Sequence, residues 1–390
     1  MFLTQLEKQN PELIKFAFAL HESGEILPDT YVIDLDRIEE NAGKIAKAAS
    51  DNEIELFYMT KQLGRNPIIA QTIADAGIEK AVAVDFREAE ILMHNKLALG
   101  NIGHLVQVPR KLLEKIVQYG TKYMTEFTLE NLHFLNQTAY ALNKQQKVLL
   151  KVVADSDIVY PGQTGGFTLR QLQEQLSEIQ SLSNVIISGI TTFPAILLNE
   201  ERKLLEATPN LETIMAAQKI LEAHGIENPV IDLPSATSCA SMPLLKKIGA
   251  TVGEPGHALS GTTPLHAVTE QPEQTAYCYL SEISHSFKEH SYFYGGGYYR
   301  RGHLTHALVK MKGDHETSCA KVLPLESTSI DYYLELDKLY NSGTAVICCP
   351  RSQIFVTRST VALIKGLHKG KPELIGLYDS LGKELPEGMK

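Results

Sequence analysis

Lys61 is the first residue whose type and surroundings suggest chemistry. It stands in FYMTKQLGRN, directly behind a short apolar run, where a lysine is partly desolvated. Desolvation lowers the pKa of an ammonium and supplies the neutral amine that condenses with a carbonyl to a Schiff base. A lysine that snorkels out at a strand end is the ordinary alternative. The adjacent Cys348 and Cys349 are most simply small apolar side chains. SATSCASM (235–242) puts serine and threonine at a helix start, where one of them serves as a plain N-cap. SYFYGGGYYRRG crowds Tyr292, Tyr294, Tyr298 and Tyr299 around a glycine-rich hairpin.

The elements around these residues have a clear rhythm. From about residue 54, short apolar runs alternate with amphipathic stretches: IELFYMT (54–60), KAVAVD (80–85), IGHLVQV (102–108), KYMTEFT (122–128), KVLLKVV (147–153), VIISGITT (185–192), PVIDLP (229–234) and ATVGEP (250–255). Gly77 and Gly120 follow helical stretches, as helix-ending glycines do. Strand–helix alternation predicts a parallel sheet, and eight strands is the closure number of a (β/α)8 TIM barrel. A doubly wound open sheet is the second architecture, weakened by the lack of GxGxxG after an early strand. Lys61 then ends the first barrel strand, on the face where barrel enzymes place their active sites.

An extra strand–helix, TYVIDLD then RIEENAGKIAKAAS, precedes the eight. After residue 262 the texture becomes strand-like, with QTAYCYLSEISHSF, SYFYGGGYY, THALVKM, TAVICC, SQIFVTR, TVALIKG and ELIGLYD. The expected division is an α/β barrel over 28–262 followed by a smaller all-β domain over 263–390. Residues 1–27, with the helical PELIKFAFALHE, are a candidate addition to the β domain that pattern alone does not assign.

Composition narrows the function classes. Hydrophobic residues at 44% and charged residues at 21% give ordinary globular material rather than disorder. The formal charge of −9 disfavours nucleic acid and anionic membranes as partners. No apolar run approaches the roughly 18–20 residues of a membrane span, and the start lacks a signal-peptide layout. Five cysteines without CxxC spacing suggest neither a disulfide framework nor a zinc finger. The expectation is a reduced, cytoplasmic protein.

The layout resembles the fold type III pyridoxal-phosphate enzymes: alanine and ornithine racemases, ornithine and diaminopimelate decarboxylases, and D-threonine aldolase. They pair a barrel with a β domain, and their Schiff-base lysine ends the first barrel strand, as Lys61 does. YVIDLDRIEENAGKI, with Asn41, resembles their usual opening, and VDFREAEIL (84–92) the stretch after their second strand. The match runs in order over roughly 28–300. The whole chain, including QIFVTRSTVALIKG and GLYDSLGKEL, resembles the YhfX-type branch.

The resemblance implies pyridoxal 5'-phosphate and a role for each matching residue. In GATVGEPGHALSG, Glu254 falls where the family faces the pyridine nitrogen, and a carboxylate there keeps the ring protonated and strongly electron-withdrawing. Alanine racemases carry arginine at this place; the EPG run is like the decarboxylases. Gly256 and His257 then offer backbone N–H groups to the phosphate, and Ser238 matches the family's phosphate serine. Arg65 falls where racemases have a phosphate-binding tyrosine, or else begins the surface of the next helix. Phe193 replaces the usual imidazole on the ring face and can still stack; a core phenylalanine is the alternative. Gln163 occupies the place of an arginine near the ring hydroxyl and substrate carboxylate, and an amide is the weaker clamp.

Tyr294–Gly295 matches the tyrosine with which a racemase's partner subunit covers the second face of the substrate α-carbon. With Lys61 on the first face, the two acid/base groups of a racemase are present, and a homodimer with shared sites follows. Cys348 or Cys349 could play the proton donor of ornithine decarboxylases. CCPRSQ lacks the histidine of the metal-binding members, and His303 and His306 stand alone, so no metal is expected. The expected function is racemisation at the α-carbon of an amino acid or close amine. Decarboxylation or another α-carbon lyase reaction is the second reading, and a non-catalytic pyridoxal-phosphate carrier the third, although single-barrel carriers lack a β domain.

Overall fold

The computed structural model describes residues 2–311, 313–314, 316–326 and 328–386. The chain divides into two compact units. One comprises residues 43–59 and 73–256 and contains the barrel. The other comprises 1–42, 60–72 and 257–390 and contains a sheet.

Eight parallel strands close the barrel: Glu55–Tyr58, Lys80–Ala83, Leu99–Ile102, Tyr123–Glu126, Gln146–Lys151, Val185–Thr191, Val230–Asp232 and Val252–Gly253, the last pairing back onto the first. This is the (β/α)8 architecture, and the open-sheet alternative falls away. The third strand lies earlier than expected. It covers Leu99–Ile102, and most of the run 102–108 is an irregular segment beyond its carboxyl end. Phe57, Met59, Val82, Val84, Tyr123, Leu149 and Val252 fill the interior. Gly100 makes room for them, since a Cβ there would stand 2.2 Å from the Phe57 ring. The helix after the second strand, Phe86–His94, starts on a reciprocal cap. Asp85 Oδ1 accepts from the Glu88 N–H at 2.9 Å, and Glu88 Oε2 accepts from the Val84 N–H at 2.8 Å. A small hairpin, Ile196–Asn199 with Leu204–Ala207, follows the sixth strand and was not anticipated.

Among the described residues, the sheet of the other unit has nine strands. Its central path runs Ser318–Lys321, His306–Lys310, Ala345–Cys348, Tyr277–Phe287, Thr30–Asp34, Thr360–Lys365, Glu373–Tyr378. His290–Tyr294 pairs with Tyr277–Phe287 and with Tyr333–Leu336. The expected start of the barrel at residue 28 differs from the structure, in which residues 1–42 fall in the sheet-containing unit. Thr30–Asp34 is not a barrel strand: it is buried along its length, antiparallel to Tyr277–Phe287 and parallel to Thr360–Lys365. A barrel closed by eight strands has no edge left for a ninth.

Residues 1–27 fall in this sheet-containing unit, as helices Leu3–Gln9 and Pro11–Ser23. Asn10 Nδ2 donates to Asp34 Oδ2 at 2.9 Å, and His21 Nε2 meets Glu282 Oε2 at 2.8 Å. Asn41 holds two segments through one side chain, donating to the Leu259 and Gln274 carbonyls and accepting from the Gln274 N–H. SQIFVTR is not a strand. Thr357 Oγ1 bonds the Ile354 carbonyl at 2.7 Å and closes a 3-10 turn over Ile354–Val356. Cys348 and Cys349 are buried, and burial pushes both thiols up, so they are neutral, apolar packing groups. No described helix is long and apolar enough to cross a membrane.

Candidate active site

In the barrel unit, polar side chains gather at the carboxyl ends of the strands, beyond the apolar interior. Glu254 directly follows the eighth strand and is 3% exposed. Its N–H donates to Thr237 Oγ1 at 3.1 Å, and its Oε1 lies 3.4 Å from Asn101 Nδ2. Thr125 Oγ1 donates to Asn101 Oδ1 at 2.9 Å and so fixes which way that amide faces. Asp232, the last residue of the seventh strand, is fully buried and accepts from Thr191 Oγ1 at 3.1 Å. His104, also fully buried, sits just past the third strand. His104, Asp232 and Glu254 each bring one side-chain nitrogen or oxygen within 4.8 Å of the other two. Burial raises the Asp232 carboxyl to about 7, while its hydrogen bonds with Thr191 and Glu254 act the other way.

Phe193 is half-buried beside this cluster. The His104 ring meets it edge-on at 5.5 Å and Tyr160 at 5.6 Å. His104, on the segment after the third strand, thus brings an imidazole beside Phe193. Gln163 lies on the loop after the fifth strand. Its carbonyl accepts from Lys151 Nζ at 3.3 Å, and its Oε1 is buried without a hydrogen-bond partner. Lys151 ends the fifth strand, over the Phe127 ring at 4.5 Å, and burial lowers its ammonium to about 8. Glu126 ends the fourth strand, and burial raises its carboxyl to about 8 against a bond from Asn131. Ser238 is buried in the turn before Cys239–Ser241, its N–H donating to Ser241 Oγ at 2.9 Å. Gly256 follows Pro255, whose carbonyl accepts the Met59 N–H at 2.9 Å.

Lys61, Arg65, His257 and Tyr294 belong to the other unit. Lys61 opens the one-turn helix Lys61–Leu63 and is half-buried. Arg65 is not a surface residue. It is 3% exposed, takes φ +51°, and lays its guanidinium over the Phe355 ring at 4.9 Å. The next helix begins after Asn66, whose Oδ1 accepts from the Ile68 and Ile69 N–H groups. His257 starts the 3-10 helix His257–Ser260. Its Nε2 faces the Ser352 carbonyl at 2.9 Å and Arg351 Nε at 3.3 Å. Burial first, then the Arg351 and Lys61 charges, hold this imidazole well below its usual pKa.

Tyr294 is 37% exposed at the end of its strand. Its carbonyl accepts from Ser281 Oγ at 2.7 Å and Tyr279 Oη at 3.3 Å. The glycines behind it are required by close approaches. A Cβ on Gly296, at φ +120°, would strike the Asp29 carboxylate, and one on Gly297 the Tyr279 ring.

Sequence comparison matches the description "Alanine racemase, N-terminal domain" over residues 33–264, more than half of the chain. The chain belongs to the alanine racemase N-terminal domain family. Residues 278–374 match the YhfX-like C-terminal domain. The uncharacterized protein YhfX of Escherichia coli K12 is 44% identical over 385 residues, covering 99% of this chain and all of that one. Among solved structures, alanine racemase from Clostridium difficile 630 aligns with a TM-score of 0.65 at 15% identity, over 91% of this chain and 99% of that one. D-threonine aldolase from Filomicrobium marinum aligns with a TM-score of 0.65 at 13% identity, over 91% and 95%. At these identities the likeness to the solved structures is one of fold.

Sequence reasoning missed Asp232, His104, Lys151 and Glu126. Each lies in or next to an apolar run read as strand. The available signal was a titratable residue at the carboxyl end of a barrel strand, the criterion that singled out Lys61.

Proposed function

We propose that this protein is a pyridoxal-phosphate-dependent racemase acting at the α-carbon of an amino acid or close amine, as a cytoplasmic homodimer. Lys61 holds the cofactor through Nζ and, once released, exchanges the α-proton on one face of the substrate. Tyr294 of the neighbouring chain exchanges it through Oη on the other face. Glu254 keeps the ring nitrogen protonated. Ser238, Arg65 and the backbone N–H groups of Gly256 and His257 hold the phosphate. Phe193 stacks, and Gln163 stands near the substrate carboxylate. Pyridoxal phosphate, when bound, supplies an electron sink for the bond broken at the α-carbon.

The observation that carries this reading is the buried carboxyl pair at the end of the seventh and eighth strands. The influences on Asp232 are burial, Thr191 and Glu254, with no lysine or arginine among them. Such a pair fits a ligand that brings its own cationic N–H, which a protonated pyridine does. The buried, unpartnered Gln163 Oε1 fits a further donor from the substrate side. His257 turns its Nε2 to Ser352 and Arg351, and its backbone N–H is the group offered to an anion. The likeness to alanine racemase favours racemisation. Glu254 itself, and the likeness to D-threonine aldolase, favour an α-carbon lyase as the second reading.

The test is α-proton exchange. The protein is incubated with pyridoxal phosphate and D- and L-amino acids in heavy water and followed by NMR. Wild type exchanges the α-hydrogen and forms the mirror image. Lys61→Ala loses the absorbance band of the protein-bound cofactor, while Tyr294→Phe keeps it and loses turnover by about 10²–10⁴-fold. An unchanged band in Lys61→Ala refutes the lysine's role. Amine or aldehyde in place of the mirror image moves the assignment to the lyase.

A further inference from the structure

Asp232 has no role in the mechanism above, yet it is a carboxyl buried beside another. Its strand is apolar apart from this residue, VID, and leads into Leu233, which is fully buried. The groups that face the pair come from several strands. Thr191 of the sixth donates to Asp232, Asn101 of the third lies against Glu254, and Thr125 of the fourth orients Asn101. Thr237 accepts the Glu254 N–H, and His104 closes the cluster. None of these brings a fixed positive charge. Two adjacent carboxylates in so dry a place cannot both ionise, because each disfavours the charged form of the other.

We propose that Asp232 and Glu254 act as one unit that keeps a single proton, shared between them in the free protein and drawn to Asp232 when a cation faces Glu254, so that Asp232 is the positioning residue that holds Glu254 as the ring nitrogen's counter-ion. This rests on the pyridoxal-phosphate reading for the identity of the counter-charge, whereas the shared proton is a property of the protein alone. Thr191 supports it by donating to Oδ2 of Asp232, so that this residue remains turned toward the cluster. Asparagine at 232 is the charge equivalent of the protonated aspartate and can still donate to Glu254.

The experiment titrates the carboxyls of the cofactor-free, full-length protein by ¹³C NMR of labelled Asp and Glu. Wild type, Asp232→Asn and Glu254→Gln are compared, with circular dichroism reporting the fold of each. Two wild-type steps are expected, widely separated, with the one remaining carboxyl of each variant titrating between them. A wild-type curve equal to the sum of the two single-variant curves overturns the proposal. A second arm follows the ring nitrogen in ¹⁵N-labelled pyridoxal phosphate bound to the same proteins. Glu254→Gln lowers the pH at which that nitrogen loses its proton by more than about one unit, and Asp232→Asn by much less. An equal fall in both variants would make Asp232 a second anion and also overturns the proposal. Failure of all three proteins to bind the cofactor counts against the functional reading, and the carboxyl titration still decides the shared proton.

Discussion

Asp29 lies beneath the glycine turn that follows Tyr294, and replacing it with asparagine gives a stability change whose size and pH dependence the structure sets. Its Oδ1 accepts from Tyr279 Oη at 3.0 Å and from Ser359 Oγ, while Oδ2 lies against Gly296. Burial, opposed by those two hydrogen bonds and by Arg358, raises its pKa from 3.8 to about 6. The folded value is above the unfolded one, so the folded state binds the proton more tightly. The ionised carboxylate then weakens the fold above pH 6, and this burden fades as pH falls from 6 toward 3.8. At about 1.4 kcal/mol per pH unit, the full burden is about 3 kcal/mol. Asparagine keeps an Oδ1 that accepts both hydrogen bonds, tolerates the φ of +68° at this position, and carries no charge. Asp29→Asn should therefore gain about 3 kcal/mol over wild type at pH 8 and about half of that at pH 5. Urea unfolding followed by circular dichroism at a series of pH values measures the gap. The pH dependence carries the test, because a difference in side-chain fit shifts both ends equally. Parallel stability curves for the two proteins between pH 5 and pH 8 would refute a raised pKa at Asp29.

Two further predictions concern the cysteines and the barrel interior. Cys319 is exposed, Cys239 is half-buried, and Cys278, Cys348 and Cys349 are buried with raised thiols. A thiol-disulfide reagent should modify Cys319 first, Cys239 more slowly and the other three only in denaturant; rapid native labelling of Cys348 or Cys349, read by peptide mass, would contradict their assignment as packing groups. Gly100→Ala places a methyl 2.2 Å from the Phe57 ring and should destabilise the barrel by about 1–3 kcal/mol. Phe57→Leu in the same chain should recover part of that loss, and an unaltered urea midpoint for Gly100→Ala alone would show that the ring moves aside freely.

The barrel was legible in the sequence because its strands are short, apolar and spaced by helices, and each of the eight runs contains or overlaps an observed strand. The third was displaced because IGHLVQV is apolar enough to read as a strand, while its outer part lies beyond the strand's end and carries His104 into the cluster. The membership of Thr30–Asp34 was not legible. An apolar five-residue strand ahead of a helix looks the same whether it enters a parallel barrel or a mixed sheet, and its partners, Tyr277–Phe287 and Thr360–Lys365, are more than two hundred residues away. Only the prior closure of eight other strands excludes it from the barrel.

The site divides along a similar line. Lys61 was visible because a lysine after an apolar run costs solvation at a place where barrels keep their chemistry. The same physics applies to Asp232. A carboxylate in an apolar strand is tolerable only if it is hydrogen-bonded or protonated; the structure supplies Thr191 and Glu254 for the first, and burial favours the second. Reading PVIDLP as strand absorbed the aspartate into a pattern, although its type argued against the pattern. The residues that break an apolar run at the carboxyl end of a barrel strand are Asp232, Lys151 and Glu126, with His104 just past a fourth, and burial shifts the pKa of the first three toward neutrality. A fold can keep such groups only by holding them in the form that burial favours. Their charged forms are therefore costly near neutral pH, and a cation brought to the Asp232–Glu254 pair lowers that cost for one carboxylate.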